Sequence, residues 1–185
     1  MRREVFTKKE EHRDIPIIKH ILFSGKQNIP WKDVEQYLKR YIGNSVIVKE
    51  YQDSIEIGSD FPDEYSASNY TKSLRGATAK AKANAAQIIE EIISTATNKR
   101  WSENKKEKHK QDARKGWYRY DASFGIVVQG SNEGNARLNQ YHHATLVIRN
   151  GPTGLFLYDM INIKKKRVSR LSQIDYTVEN RFLSH

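Results

Sequence analysis

Apolar residues first recur at helical spacing between Trp31 and Tyr41, where Val34, Tyr37, Leu38 and Tyr41 fall on one side and Gly43 supplies a stop. That stretch predicts a short amphipathic helix. The period then changes to two: SVIVKEYQDSIEIG alternates around a polar turn at Gln52 and Asp53 and predicts a hairpin. A polar connection, SDFPDEYSASN, leads into the longest helical pattern of the chain, from Lys72 to Asn98. At about 100° per residue from Ala81, the side chains of Ala85, Ile88, Ile89, Ile92 and Ala96 lie within a sector about 100° wide. This stripe should face a core, and its alanines allow a neighbour to come close. Lys82 and Arg75 fall on one shoulder of it, where each can reach a cleft edge or simply cover core with its stem, whereas Lys80 falls well away.

From Trp117 the alternation returns. WYRYDASFGIVVQ, RLNQYHHATLVIR and GLFLYDMINIK are separated by the turn-forming runs GSNEGN and NGPTG, and predict a three-stranded antiparallel meander. In its middle strand His142, Ala144, Leu146 and Ile148 share one face; Tyr141, His143, Thr145 and Val147 share the other. The first face should pack on the helix, so His142 reads as a half-buried packing residue and His143 as a presented one. Helix before sheet argues for an α+β class. The expected division is a small helix/hairpin unit over residues 1–65 and a helix-plus-antiparallel-sheet domain over 66–185.

Composition narrows the function. The chain has 185 residues, enough for one ordinary domain with a small appended piece, and its 3 Trp, 10 Tyr and 6 Phe argue against disorder. It has no cysteine, which excludes disulfides, thiolate metal sites and a cysteine nucleophile. Its apolar runs fall far short of the roughly 20 residues of a bilayer-crossing helix, and MRREVFTKKEEHRD lacks the apolar stretch of a signal peptide. A soluble chain with no membrane partner is expected. The formal net charge is +10, and between Asn98 and Tyr120 nine basic residues stand against three acidic ones. Such a run is either a solvated face or a polyanion contact. The interleaved Trp101, Trp117, Tyr118 and Tyr120 favour RNA, because aromatic rings stack on unpaired bases. The expected RNA-binding residues are Lys99, Arg100, Lys105, Lys106, Lys108, Arg114, Lys115 and Trp117.

Cleaving an RNA phosphodiester requires one group to deprotonate the 2′-hydroxyl, another to protonate the leaving oxygen, and cations at phosphorus. Histidine can take either proton role near neutrality. His143 is therefore the candidate acid or base, Thr145 a hydrogen-bond donor to phosphate, and a tyrosine a stacking plane or proton donor. No compact set of Asp, Glu and His suggests a metal site, and neither metal nor cofactor is expected. The second proton-transfer group could be Lys82, Tyr120, His109 or His142.

The run YTKSLRGATAKAKANAAQIIEEIISTATNKRWSENKKEKHKQDARKGWYRYDASF, continued by HATLVIRN and LYDMINIKK, resembles a domain at the C-termini of polymorphic bacterial toxins and in large polyvalent proteins of phages and conjugative elements. The likeness spans roughly Ile29 to Lys166. Through it the chain is similar to nucleases of the barnase/EndoU/colicin/RelE superfamily, which implies a curved antiparallel sheet after the helix and an active site on its open face. Members of that superfamily differ in their catalytic residues. The resemblance implies a metal-independent RNase toxin acting on tRNA in the cytoplasm of a target bacterium, as the C-terminal part of a larger secreted or surface protein. Contact-dependent growth inhibition and an acidic immunity protein belong to the same expectation. Mapped onto this sequence, His143 acts on protons, Lys82 and Arg75 hold the scissile phosphate with Thr145, and Tyr120 positions or stacks a base. The alternative is a non-catalytic nucleic-acid-binding module of a mobile element. An enzyme on a small anionic substrate is disfavoured by the lack of a phosphate-cradling glycine loop.

Overall fold

In the computed structural model of the chain, residues 6–10, 13–25, 27–129 and 137–166 are described. The fold is mixed α+β: three helical units lie on a curled half-barrel sheet. The expected meander is present as β6 (Trp117–Gln129), β7 (Arg137–Asn150) and β8 (Leu155–Lys165), all antiparallel. Its GSNEGN turn lies outside the described residues. The expected hairpin is β3 (Ser45–Val48) with β4 (Asp53–Glu56), joined to the sheet by a short parallel contact of Ile55 and Glu56 with Leu155 and Phe156. Three further strands were not foreseen. A hairpin of β1 (Phe6–Glu10) and β2 (Arg13–Ile18) runs parallel to β6 at Gly125 and Ile126. The basic segment opens as a strand, β5 (Thr97–Ser102), on the other half of the same edge of β6. The strand order is β1-β2-β6-β7-β8-β4-β3.

The helical units are α1 (Trp31–Leu38), the pair α2 (Phe61–Ala67) and α3 (Asn69–Ser73), and α4 (Gly76–Ala85) continued through a 3-10 turn into α5 (Ile89–Ser94). The helix expected from Lys72 to Asn98 is thus broken. Leu74 and Arg75 are extended, and Gly76 has φ +56°, a conformation open to glycine at little cost. At the other end Thr97 leaves the helix to pair with Asp121.

Each position of the expected stripe, from Ala81 to Ala96, is buried. α4 is also enclosed on its other sides: Ala83, Asn84 and Lys82 have no exposed surface. Asn84 ties it to the N-terminal segment, accepting from the backbone N–H of Leu22 at 2.9 Å and Phe23 at 3.0 Å and donating to the Phe23 carbonyl at 2.9 Å. The core joins Val34 and Leu38 to Ile89, Ile92, Phe124, Leu146 and Ile148, so residues from both sides of the expected 65/66 boundary share it.

The register sorts the sheet into two faces. Tyr120, Ala122 and Phe124 face the core with Leu146, Ala144 and His142; Trp117, Arg119, Asp121 and Ser123 lie on the outer face with Arg149, Val147, Thr145 and His143. His142 is stacked on Phe124 at 5.4 Å, and His143 is exposed on the other side, as the alternation predicts.

Candidate functional site

β8 has a strand on both edges only at its start. Its contact with β4 ends at Phe156, whereas β7 follows it to Lys165. Beyond that point, among the described residues, helices α2 and α4 pack against it instead. The β7–β8 register passes from Val147↔Asp159 to Ile148↔Leu157, a bulge that leaves Tyr158 without an opposite residue. Bulges re-aim side chains. Here Tyr158 meets Trp117 at 5.0 Å and His109 at 5.4 Å between ring centroids, while Asp159 turns to Lys82 and Ser68.

The basic segment after β5 folds over this end of the outer face. A 3-10 turn at Glu107–His109 starts it, and backbone bonds pin its end to the β7–β8 turn: Lys115 N–H to the Asn150 carbonyl and Asn150 N–H to the Gly116 carbonyl, each at 3.0 Å. His109 is thereby buried in a charged stretch, edge-on to Trp117 at 5.1 Å. Its Nδ1 lies 3.2 Å from Asp112 Oδ2 and its Nε2 3.4 Å from the Tyr158 hydroxyl. Burial pushes the Asp112 carboxyl up. The hydrogen bond from His109, a backbone N–H and the charges of His109 and Arg149 outweigh it and hold the group below its usual range. Arg149 ties the assembly to α2, with Nη1 2.6 Å from Asp60 Oδ2 and 3.6 Å from Asp112 Oδ2. The Tyr158 phenol is pushed well up by burial, then by the charge of Glu64 and its hydrogen bond to that carboxylate.

Of these groups, Glu64, His109 and Tyr158 line a cavity of about 350 Å³. Glu64, Ser68 and Tyr70 form its helical side; Lys106, Lys108 and His109 form the opposite side, with Tyr158 between them. A polar chain therefore runs Asp112, His109, Tyr158, Glu64 and ends in a cavity lined by two lysines, Lys106 and Lys108, and two carboxylates, Asp63 and Glu64. A carboxylate accepting from Nδ1–H orients the imidazole, and Glu64 can accept a second proton nearby. Such a cavity lies at the small end of ligand sites and admits a nucleotide-sized group.

Behind the wall, Lys82 Nζ is 2.6 Å from Asp159 Oδ1 and 2.7 Å from Thr71 Oγ1, and Ser68 donates to Asp159 Oδ2 at 2.9 Å. Burial lowers the Lys82 pKa and raises that of Asp159, and their mutual attraction opposes both shifts.

The structure does not assemble the site residues expected from the sequence. Lys82 has no exposed surface, because α4 is enclosed and its shoulder faces Asp159 rather than a cleft. Arg75 is exposed, but its guanidinium turns back to the carbonyls of Lys72 and Leu74, each at 2.7 Å. Tyr120 lies on the core face, its hydroxyl 2.5 Å from Asp53, and burial followed by that hydrogen bond raises its pKa. It is thus on the opposite side of the sheet from His143 and Thr145, which do share a face.

Of the residues expected to bind RNA, Lys106 and Lys108 line the cavity and Lys105, Arg114 and Lys115 are exposed. Lys99 is bound to Asp53 at 2.7 Å and Arg100 to Asp121 at 2.9 Å. Trp117 packs between β6 and the basic segment, donating to Asn104 at 3.2 Å, so its ring is not a free stacking plane. No motif in the sequence marks Glu64, Asp112 or Tyr158, and His109 is one of four alternatives for the second proton-transfer group. Among the described residues no group of three or more His, Asp and Glu is placed to hold a metal ion, and no helix is long and apolar enough to cross a membrane. No family model, curated protein or solved structure matches the chain.

Proposed function

We propose that this domain is a metal-independent endoribonuclease that cleaves RNA in the cavity beside β8. The observation that carries the reading is one imidazole, His109, held between Asp112 and Tyr158 in a cavity that also contains Glu64 and is rimmed by Lys106 and Lys108. Glu64 takes the proton of the 2′-hydroxyl, whose oxygen attacks phosphorus. The P–O5′ bond breaks as His109 gives its proton to the departing 5′-oxygen, leaving a 2′,3′-cyclic phosphate and a 5′-hydroxyl. Lys106 and Lys108 balance the charge that builds on the phosphoryl oxygens. Asp112 keeps the imidazole oriented throughout. The curled sheet, mixed rather than wholly antiparallel because β2 and β4 join it by short parallel contacts, the net charge of +10 and the resemblance to toxin nucleases support the same reading, with tRNA as the preferred target and an acidic immunity protein as the partner.

The competing reading is an RNA-binding module without turnover, favoured by the packing of His109 among rings at only 8% exposure. The test is digestion of total RNA in excess EDTA, with His109→Gln and Glu64→Gln beside the parent, followed by a denaturing gel and a shift assay. The nuclease reading expects discrete fragments from the parent and about 10²–10⁴-fold slower cleavage from either variant, with binding kept. Intact RNA with the parent, together with a normal shift, establishes the binding module instead.

A further inference from the structure

A second polar group occupies the outer face toward the far end of β7. His143 is exposed there, its Nδ1 2.9 Å from Ser123 Oγ, and Lys164 of β8 stands directly opposite it. Thr145 and Asp121 form the next cross-strand pair. Asp121 accepts from Asn98 at 2.7 Å and Arg100 at 2.9 Å, and its charge also acts on His143. Two basic groups facing each other across a strand pair repel once the histidine is protonated, and an anion seated between them relieves that repulsion.

The cavity's His109 and this group are both contacted from one face of β6. Trp117, which packs on His109, and Ser123, which bonds His143, belong to the same face of β6. Between them stands Arg119, half-buried, donating to Ser102 Oγ at 2.8 Å. Val147 is level with the bulge that carries Tyr158, and four residues of strand separate it from His143, a distance of about 13 Å. A single phosphate cannot touch both places.

Resting on the reading of the cavity as the cleavage site, we infer that His143 and Lys164 form a second phosphate subsite. It holds the RNA backbone more than one nucleotide away from the scissile bond. The substrate of this site is thus a single-stranded segment laid along β7, not an isolated dinucleotide.

Anisotropy with 2′-O-methyl oligoribonucleotides, which cannot be cleaved, tests the subsite apart from the chemistry. Both side chains are exposed, and Lys164→Gln and His143→Gln should leave the circular dichroism spectrum unchanged. For an octamer, Lys164→Gln is expected to weaken binding about tenfold at low salt and to reduce the slope of log K against log salt by about 0.7. For a dimer it should change neither. Equal losses on both lengths, or none on either, overturn the subsite. On cleavable octamer, His143→Gln should raise KM and leave kcat alone; a fall in kcat at constant KM places His143 in the chemistry and also overturns it. A parent protein that cleaves nothing refutes the nuclease reading only, since the anisotropy series still decides the subsite.

Discussion

Lys82 is paired with Asp159 and has no exposed surface, so its role can be read from where its loss is felt. In Lys82→Met, Asp159 keeps Ser68 at 2.9 Å and its neighbouring backbone N–H at 2.7 Å but loses the ammonium at 2.6 Å. Thr71 Oγ1 loses its donor as well. Removing one member of a buried pair costs about 3–5 kcal/mol, because the other charge is left uncompensated. With a urea m-value of about 2 kcal/mol/M, the unfolding midpoint should fall by about 2 M. Lys82→Met combined with Asp159→Leu should recover most of that loss, since both charges leave the interior together. The assay is equilibrium urea unfolding by tryptophan fluorescence for the two single variants and the pair, alongside RNA affinity at low denaturant. Folded Lys82→Met should bind RNA like the parent. An unchanged midpoint with lost RNA affinity would refute the reasoning, because it requires the ammonium to reach a ligand that its burial denies it.

Two more expectations concern the sheet and the basic segment. Burial, reinforced by the charges of Lys165 and His143, depresses the His142 pKa from 6.5 to about 4. The folded state therefore disfavours a proton that the unfolded chain accepts, and stability present above pH 6.5 is lost as pH falls toward 4, by about 3 kcal/mol in all. His142→Phe should flatten this part of the stability–pH curve measured by urea titration, and a parent curve already flat between pH 6.5 and 4 would contradict it. Gly116 has φ +89°, and a Cβ there would stand 2.5 Å from the Ser102 carbonyl. Gly116→Ala should cost about 1–3 kcal/mol and lower Tm by several degrees in a thermal melt; an unchanged Tm would show that the segment yields without strain.

The elements visible in the sequence were those whose pattern is set by one buried face. The stripe from Ala81 to Ala96, the β3–β4 hairpin and the split of His142 from His143 all follow from a single period and reappear in the fold. β5 was illegible because TNKRWS has almost no apolar alternation; it is a strand because β6 offers it a backbone edge. Angle alone placed Lys82 on a shoulder of the helix, but it carries no information about the neighbour across that shoulder, and Asp159 arrives there through a bulge 77 positions along the chain. His109 was obscured by the lysines around it. Its burial is conferred by Trp117 and Tyr158, and the only local sign was Asp112 three residues later, an interval shared by many charge pairs in turns.

The basic segment is not a tail. Its backbone is tied to the β7–β8 turn by paired N–H···O bonds, and its centre is wedged by a histidine between two rings. Lys106 and Lys108 therefore stand at the cavity mouth before any ligand arrives. A disordered polycation must surrender chain entropy when it meets RNA, often several kcal/mol of it. In this fold most of that ordering has already happened during folding. If the cavity takes RNA as proposed, attraction gained by these lysines is available to grip it, and affinity is coupled to the integrity of the segment as much as to its charge.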